Sequence, residues 1–376
     1  MSKDTVSIPR KHKEVLLAIG AYAQKLGTKA WLVGGAVRDF YLKKETLDID
    51  ITFEGNVEPL ANLCLRRWGG TKHKFTQFGT YRVELESGLK LDLVRARKEI
   101  YPRPAALPVV EPSVIKDDLF RRDFTVNAWA VSIWPQDFAS SFDPFSARQD
   151  IDAGLVRVLH DKSFLDDPTR LFRALRFAGR FGWELAPKTK KLFKEAVSQQ
   201  YPLLLTRERV SREFIKILEE HKPQPIFALL KQYGLLDFIY PGLAWTDKLL
   251  KAKTMPERLG VLVCSMDKSG AAFLKSLRLP KELTQQLQTL LEVFEAQRAP
   301  LSALTPLQKN VLRILYPQLP PFALESCFVR GNDLKNRGFC GSNISSALEY
   351  CCSLQWRGEV SSAQEALDKA EKLPKK

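Results

Sequence analysis

The segment Leu32-Val33-Gly34-Gly35-Ala36-Val37-Arg38-Asp39, followed shortly by Asp48-Ile49-Asp50, constrains this chain more than any other feature. The apolar run 30–33 enters a Gly-Gly turn, and residues 36–42 carry the pattern of a short helix. In a strand over 47–53 alternate side chains share a face, so Asp48 and Asp50 point the same way while Ile49 and Ile51 point to the core. Two carboxylates held side by side repel each other unless a cation lies between them. Hard oxygen donors in an open site suit Mg²⁺, and a metal pair can clamp both partners of an in-line phosphoryl displacement. The bare backbone of the Gly-Gly turn admits a phosphate, the following helix start offers N–H groups, and Arg38 adds a cation. Asp-x-Asp on a strand edge and Gly-Gly in a turn are each common alone. Together they point to metal-dependent phosphoryl or nucleotidyl transfer.

At 376 residues and 45% hydrophobic composition, the chain buries a core of its own and divides into more than one domain. A net charge of +15 favours a polyanionic partner, nucleic acid first, although a basic balance also serves solubility and names no substrate. The six cysteines include no CxxC pair and no histidine at zinc-finger spacing, which predicts reduced thiols. The start Met-Ser-Lys-Asp has no apolar signal region and no apolar run approaches membrane-spanning length, so a cytoplasmic protein without a membrane partner is expected.

Hydrophobic periodicity predicts a helix over 11–25, strands over 30–33 and 47–53, a helix over 57–68, and a hairpin of strands 80–86 and 89–95 turned at Ser87-Gly88. From about residue 163 the strand patterns fade. Amphipathic helices are expected over 168–181, 187–197, 207–220, 223–233 and 280–296, with proline-bounded breaks at 300–306 and 317–321 and a frayed lysine-rich end over 369–376. The expected class is α+β: an α/β head over 1–135 followed by helical segments over 136–220, 221–300 and 301–376.

Three further constellations carry chemistry. Asp117 to Ala128 crowds charge and amide groups, with Arg121 and Arg122 suited to phosphates or ribose; an Arg122–Asp123 ion pair and a turn capped by Asn127 are the equally available structural alternative. Asp166-Asp167-Pro168-Thr169-Arg170 opens a helix, its acidic residue and proline suiting the cap and first turn. On that helix Arg170, Arg173, Arg176 and Arg180 fall on one side and Leu171, Phe172, Leu175 and Ala178 on the other, with no glutamate between Arg170 and Arg180 to offset the repulsion. That face awaits an anion. Asp167 and Arg170, one turn apart, offer an acceptor and donors side by side, as reading a base edge requires. Asp92, in the strand 89–95, is a third acidic group that ranks below Asp48 and Asp50.

In their order these motifs resemble one family, the class II tRNA nucleotidyltransferases with their relatives the bacterial poly(A) polymerases. The likeness rests on Leu32 to Asp39 with Asp48 and Asp50, Arg121 to Ala128, Asp143-Pro144-Phe145 leading to Asp150 and Arg157-Val158, Asp166 to Arg170 with its arginine helix, and Glu208-Arg209-Val210; Gly331-Asn332-Asp333-Leu334 extends it more faintly. The resemblance implies a polymerase-beta-like head, then neck, body and tail, and template-independent addition of CTP and ATP residues to the tRNA 3′ end with Mg²⁺. It implies that Asp48 and Asp50 hold the metals, that Gly35 and Arg38 contact the incoming nucleotide, and that Arg122 lies near its sugar and phosphates. Asp167 and Arg170 would pair with the base, and Arg173 and Arg176 would hold the triphosphate.

The sequence departs from the pattern at Asp166, where many members have glutamate, and the segment 95–108 is similar to that of members adding only CC or only A as well as some adding CCA. No His-Asp phosphohydrolase motif occurs in the tail. The alternatives are therefore a CC-adding or A-adding enzyme, a poly(A) polymerase, and, from another class, an RNA-binding module with an inactive head. From the cysteine pattern, electrophoresis with and without reductant is expected to show a single species.

Overall fold

The computed structural model describes residues 5–75 and 79–375 and divides into two compact units, Met1–Leu205 and Thr206–Lys376. The first unit contains, in chain order, α1 (Arg10–Lys25), β1 (Ala30–Val33), α2 (Gly35–Tyr41), β2 (Asp48–Phe53), α3 (Glu58–Trp68), β3 (Thr71–Phe75), β4 (Thr80–Glu84) and β5 (Lys90–Arg95). There follow β6 (Arg97–Ile100), β7 (Val109–Pro112), α4 (Ile115–Phe120), β8 (Ala130–Ser132), β9 (Ser141–Phe142), α5 (Ala147–Asp152), β10 (Leu155–Val156), α6 (Ser163–Asp166), α7 (Thr169–Phe181), β11 (Glu184–Leu185) and α8 (Pro187–Ser198).

Seven strands form one mixed sheet in the order β3-β4-β5-β2-β1-β8-β9. The β2 strand lies parallel to β5 and antiparallel to β1. Its alternation behaves as the sequence predicts: Ile49 and Ile51 are buried, while Asp48 is exposed and Asp50 half-buried on the opposite face. Strands β6 and β7 form a separate ribbon. Helix α7 buries Leu171, Phe172, Leu175 and Ala178, then ends at Gly182, whose φ of 70° gives the left-handed stop that glycine accepts without strain.

Strands β3, β6, β7, β8 and β9 escape the periodicity reading for physical reasons. The edge strand Thr71-Lys72-His73-Lys74-Phe75 is mostly polar and basic, as an edge that must not recruit another chain should be. Strand β8 is only three residues long and buried on both faces, so it shows no alternation. Strand β9 (Ser141–Phe142), paired with β8, extends the sheet past residue 135.

The second unit is helical: α9 (Arg207–Glu219), α10 (Gln224–Gln232), α11 (Leu236–Ile239), α12 (Met255–Ser265), α13 (Gly270–Ser276), α14 (Lys281–Ala296), α15 (Pro306–Leu315), α16 (Gly331–Asn336), α17 (Asn343–Arg357) and α18 (Ala363–Ala370). Helix α12 is buried at every position from Glu257 to Cys264, which removes the polar stripe that makes a helix legible in sequence. Its start is nonetheless encoded, because Thr254 and Glu257 form a reciprocal capping box with proline at the first turn. A core of Val329, Leu334, Phe339, Leu354, Val360 and Ala366 closes the end of the chain. The lysine-rich terminus is more ordered than its composition suggests: α18 runs to Ala370, Lys369 Nζ donates to the Glu359 carbonyl, and the Lys375 carbonyl accepts from the Cys340 N–H. All six cysteines are free thiols, and among the described residues no helix is long and apolar enough to cross a membrane.

Helix α1 packs so closely that a Cβ on Gly20 would lie 1.7 Å from the Ile133 carbonyl oxygen. Alanine in a helix gains about 1 kcal/mol over glycine, but forcing the helix off the sheet costs ~1–3 kcal/mol. Gly20→Ala is therefore expected to be net destabilising by up to ~2 kcal/mol, read as a lower urea midpoint at unchanged slope.

Candidate active site

Register places the acidic pair beside the glycine turn. Asp50 lies opposite Val33 of β1 on one side and Asp92 of β5 on the other, so the chain leaving β1 at Gly34 passes Asp50. Gly34 has φ 72°, and a Cβ there would meet Arg122 Nη1 at 2.6 Å and Asp50 Oδ2 at 3.0 Å. Gly34, rather than its neighbour Gly35, is thus the glycine the turn requires: its left-handed backbone and missing side chain let a carboxylate and a guanidinium converge.

Burial, reinforced by the Asp92 and Asp48 carboxylates, raises the Asp50 pKa above the ordinary carboxylate value despite the opposing pull of Arg122. Asp92 is already satisfied, because Arg82 grips it with Nε and Nη2 at 2.7 and 2.6 Å. No side chain among the described residues donates a hydrogen bond to the carboxylate of Asp48 or Asp50, the Thr46 hydroxyl reaching only the Asp48 backbone carbonyl. A half-buried carboxylate crowded by a second one, both in reach of solvent, is a donor set that suits a hard divalent cation. Asp48 and Asp50 would hold it, and Asp92 is committed elsewhere.

A cleft of about 570 Å³ opens at Asp50 and is lined by Gly35, Arg38, Arg122, Asp167, Arg170, Arg173 and Arg176. Eight of the nine residues that the sequence singles out therefore share one cavity wall, and the ninth, Asp48, sits at the exposed end of β2. The one-sided arginine face of α7 is that wall, with Arg180 continuing it.

The cleft's arginines are held by buried carboxylates that sequence reasoning did not assign. Asp123 does not pair with Arg122. Its Oδ2 accepts from Arg173 Nε and Nη2, and its Oδ1 from Asn127 Nδ2 and the Phe124 N–H. Burial opposes its charge, yet Arg173 and Asn127 hold its carboxyl well below the usual range. Asn127 passes the network on by accepting from Arg38 Nη1. Arg38 is only 3% exposed; it also donates twice to Asp39 and packs 5.3 and 4.8 Å from the rings of Phe177 and Phe181.

Arg122 pairs instead with Asp118 at 3.1 Å, and its Nε is buried with no hydrogen-bond partner among the described residues. Such a donor facing a basic cleft suits an anionic ligand. Asp118 is itself fully buried and also binds Arg121, while Glu99 accepts from Arg97, Arg121 and the Tyr101 hydroxyl. Glu99 and Tyr101 lie on and just after β6, in a stretch whose only sequence signal was family likeness. At the far end Asp167 Oδ1 accepts from the Thr169 N–H and Oγ1, and Arg170 is 4% exposed.

A mixed sheet that offers a carboxylate pair at a glycine turn, faced by a helix of arginines, defines a nucleotidyltransferase. The comparisons with known proteins agree. Residues 30–157 match the family model described as "Poly A polymerase head domain", and residues 184–246 match "Probable RNA and SrmB- binding site of polymerase A". The A-adding tRNA nucleotidyltransferase of Aquifex aeolicus is 42% identical over 59% of this chain and 27% of its own length. The CCA-adding enzyme of Bacillus velezensis is 31% identical over 75% of this chain and 72% of its own. A solved CCA-adding enzyme of Thermotoga maritima, complexed with tRNA, superposes with a TM-score of 0.66 at 26% identity, covering 96% of this chain and 95% of that one. The chain belongs to the tRNA nucleotidyltransferase family, whose members use divalent metal ions. It spans about a quarter to a half of the length of the A-adding relatives it matches.

Because its pKa is raised in the folded state, ionised Asp50 destabilises the fold at neutral pH: its favourable contribution is complete below the unfolded value of about 4 and is lost as pH rises through the raised value. Asp50→Asn is expected to melt at a higher temperature than the native chain at pH 7.5 in chelator, the gap narrowing as pH falls towards the unfolded carboxylate value. Nucleotide transfer by the same variant should drop on the order of 100-fold or more.

Proposed function

We propose that this chain makes or repairs the 3′-terminal CCA of tRNA from CTP and ATP, with Mg²⁺ at Asp48 and Asp50. The observation that carries this reading is that Asp50 and the pair Asp167 and Arg170 line one cleft, which puts a metal-binding carboxylate and a donor-acceptor pair fit for a base edge at the two ends of a space sized for a nucleotide. Supporting it are the names of the relatives, which add A or CCA to tRNA, and the surplus of basic residues, which suits a phosphate backbone.

In this reading Arg173 and Arg176 hold the triphosphate, and Arg122, with its unpartnered Nε, lies by the sugar and α-phosphate. Arg38 acts from behind. Its buried guanidinium, bound to Asp39 and Asn127 through three of its donors, adds positive potential and braces the helix α7 aromatics, while Gly34 and Gly35 leave the backbone bare for close approach. When bound, the divalent ion lowers the pKa of the attacking hydroxyl and offsets charge on the phosphates. Asp167 and Arg170 distinguish C and A from G and U by the order of donors and acceptors, a template made of protein. Head (1–135), neck (136–220), body (221–300) and tail (301–376) divide the work, with RNA held by the helical part through charge and shape. Free thiols at all six cysteines suit a cytoplasmic setting.

A-addition alone is the second reading, favoured by the 42% identity to a relative of that name. Purified protein given Mg²⁺, CTP and ATP is expected to extend tRNA lacking CCA, CA or A. Extension only of tRNA lacking the final A would establish the second reading, long A tails on a non-tRNA primer would make the chain a poly(A) polymerase, and no extension of any substrate would reject all three. The Asp48→Ala, Asp50→Ala double variant should still bind tRNA and extend none.

A further inference from the structure

Discrimination by a single guanidinium demands that its plane be fixed, because an arginine free to rotate offers N–H donors to any acceptor pattern. The family motif places an acidic residue immediately before Asp167, and here that residue is Asp166. Its carboxylate does not hold Arg170. The polar partner of Asp166 among the described side chains is His160, at 3.9 Å.

Arg170 is anchored elsewhere. Its Nη1 donates to Ser163 Oγ at 2.7 Å, and its Nη2 donates to the Arg121 carbonyl at 2.8 Å. Two bonds from the two terminal nitrogens to acceptors on different elements define a plane. Both acceptors are rigid. Ser163 is fully buried at the start of α6, and Arg121 follows α4 directly, its side chain tied to Asp118 at 2.7 Å and to Glu99 at 3.2 Å. These bonds use two of the five donors a guanidinium carries, and Arg170 also lines the nucleotide cleft.

We propose that Ser163 is a positioning residue for nucleotide selection: its hydroxyl, with the Arg121 carbonyl, locks the Arg170 guanidinium so that only bases with the matching donor and acceptor order bind well. The inference rests on the assignment of Asp167 and Arg170 as the base-reading pair. In this chain the serine one turn upstream does what the shortened acidic side chain at Asp166 does not. Removing the hydroxyl leaves the Arg121 carbonyl as the only anchor, about which the guanidinium can pivot.

The test is equilibrium binding of CTP, ATP, UTP and GTP, and of inorganic tripolyphosphate, to the full chain. In Ser163→Ala the preference for CTP and ATP over UTP and GTP should fall about tenfold, as expected for loss of one hydrogen bond to a buried charged group. Tripolyphosphate affinity, set by Arg173 and Arg176, should stay at the native value. In an Arg170→Ala background the serine change should have no further effect, which separates action through Arg170 from a general structural loss. An unchanged preference, a parallel loss of tripolyphosphate binding, or additive effects of the two substitutions would each overturn the inference, as would a native chain that binds all four nucleotides alike. A native chain that discriminates in binding yet extends no tRNA would overturn the functional reading and leave this one standing.

Discussion

The buried carboxylate of Asp123 is the interaction on which the site depends. A cleft able to take a triphosphate must gather several guanidinium groups, and like charges at such spacing repel and lose hydration. Asp123 offsets that cost at Arg173, and through Asn127 it reaches the more deeply buried Arg38. Its own ionisation is secured against burial by the same partners. The pairing is mutual: neither charge is tolerable at that depth without the other, so the geometry of the cleft and the stability of the unit cannot be separated there.

The same device recurs at Asp118 and Glu99. Asp118, with no exposed surface, accepts from Arg121, Arg122 and Thr52, and Glu99 gathers Arg97, Arg121 and Tyr101. Each carboxylate takes more than one partner, which satisfies its lone pairs and fixes its donors in direction. The result is a positively charged surface whose arginines are already oriented, so a ligand need not supply the ordering itself.

Much of this was legible in the sequence because the relevant patterns are local. The alternation of Asp48, Ile49, Asp50 and Ile51 fixes a strand and both its faces, and the spacing of Arg170, Arg173, Arg176 and Arg180 fixes a helix face; both required only the period of one element. What the sequence hid depends on pairing across elements. Asp123 sits one residue from Arg122, yet its partner is Arg173, fifty positions away, because the chain bends after α4 and no local period relates the two side chains. Arg38 reads as a cation offered to substrate; it lines the cleft, and what the sequence hid is that Asp39 and two phenylalanines of α7 hold it in place. Strand β8 and helix α12 were invisible because complete burial erases periodicity.

The stretch around α4 joins the two ends of the cleft. Asp118 holds Arg122, whose Nη1 a Cβ on Gly34 would meet at 2.6 Å, beside Asp50; the next residue back, Arg121, gives its carbonyl to Arg170 of α7. On the proposed reading, a base is selected by donors and acceptors of the protein itself, so the way Arg170 is held sets how well competing bases are told apart. The Arg121 carbonyl that holds Arg170 and the Arg122 guanidinium near Asp50 belong to adjacent residues, and Asp118 accepts from both arginine side chains. On the proposed reading, base selection and transfer therefore draw on one short segment of backbone, tied down through Asp118.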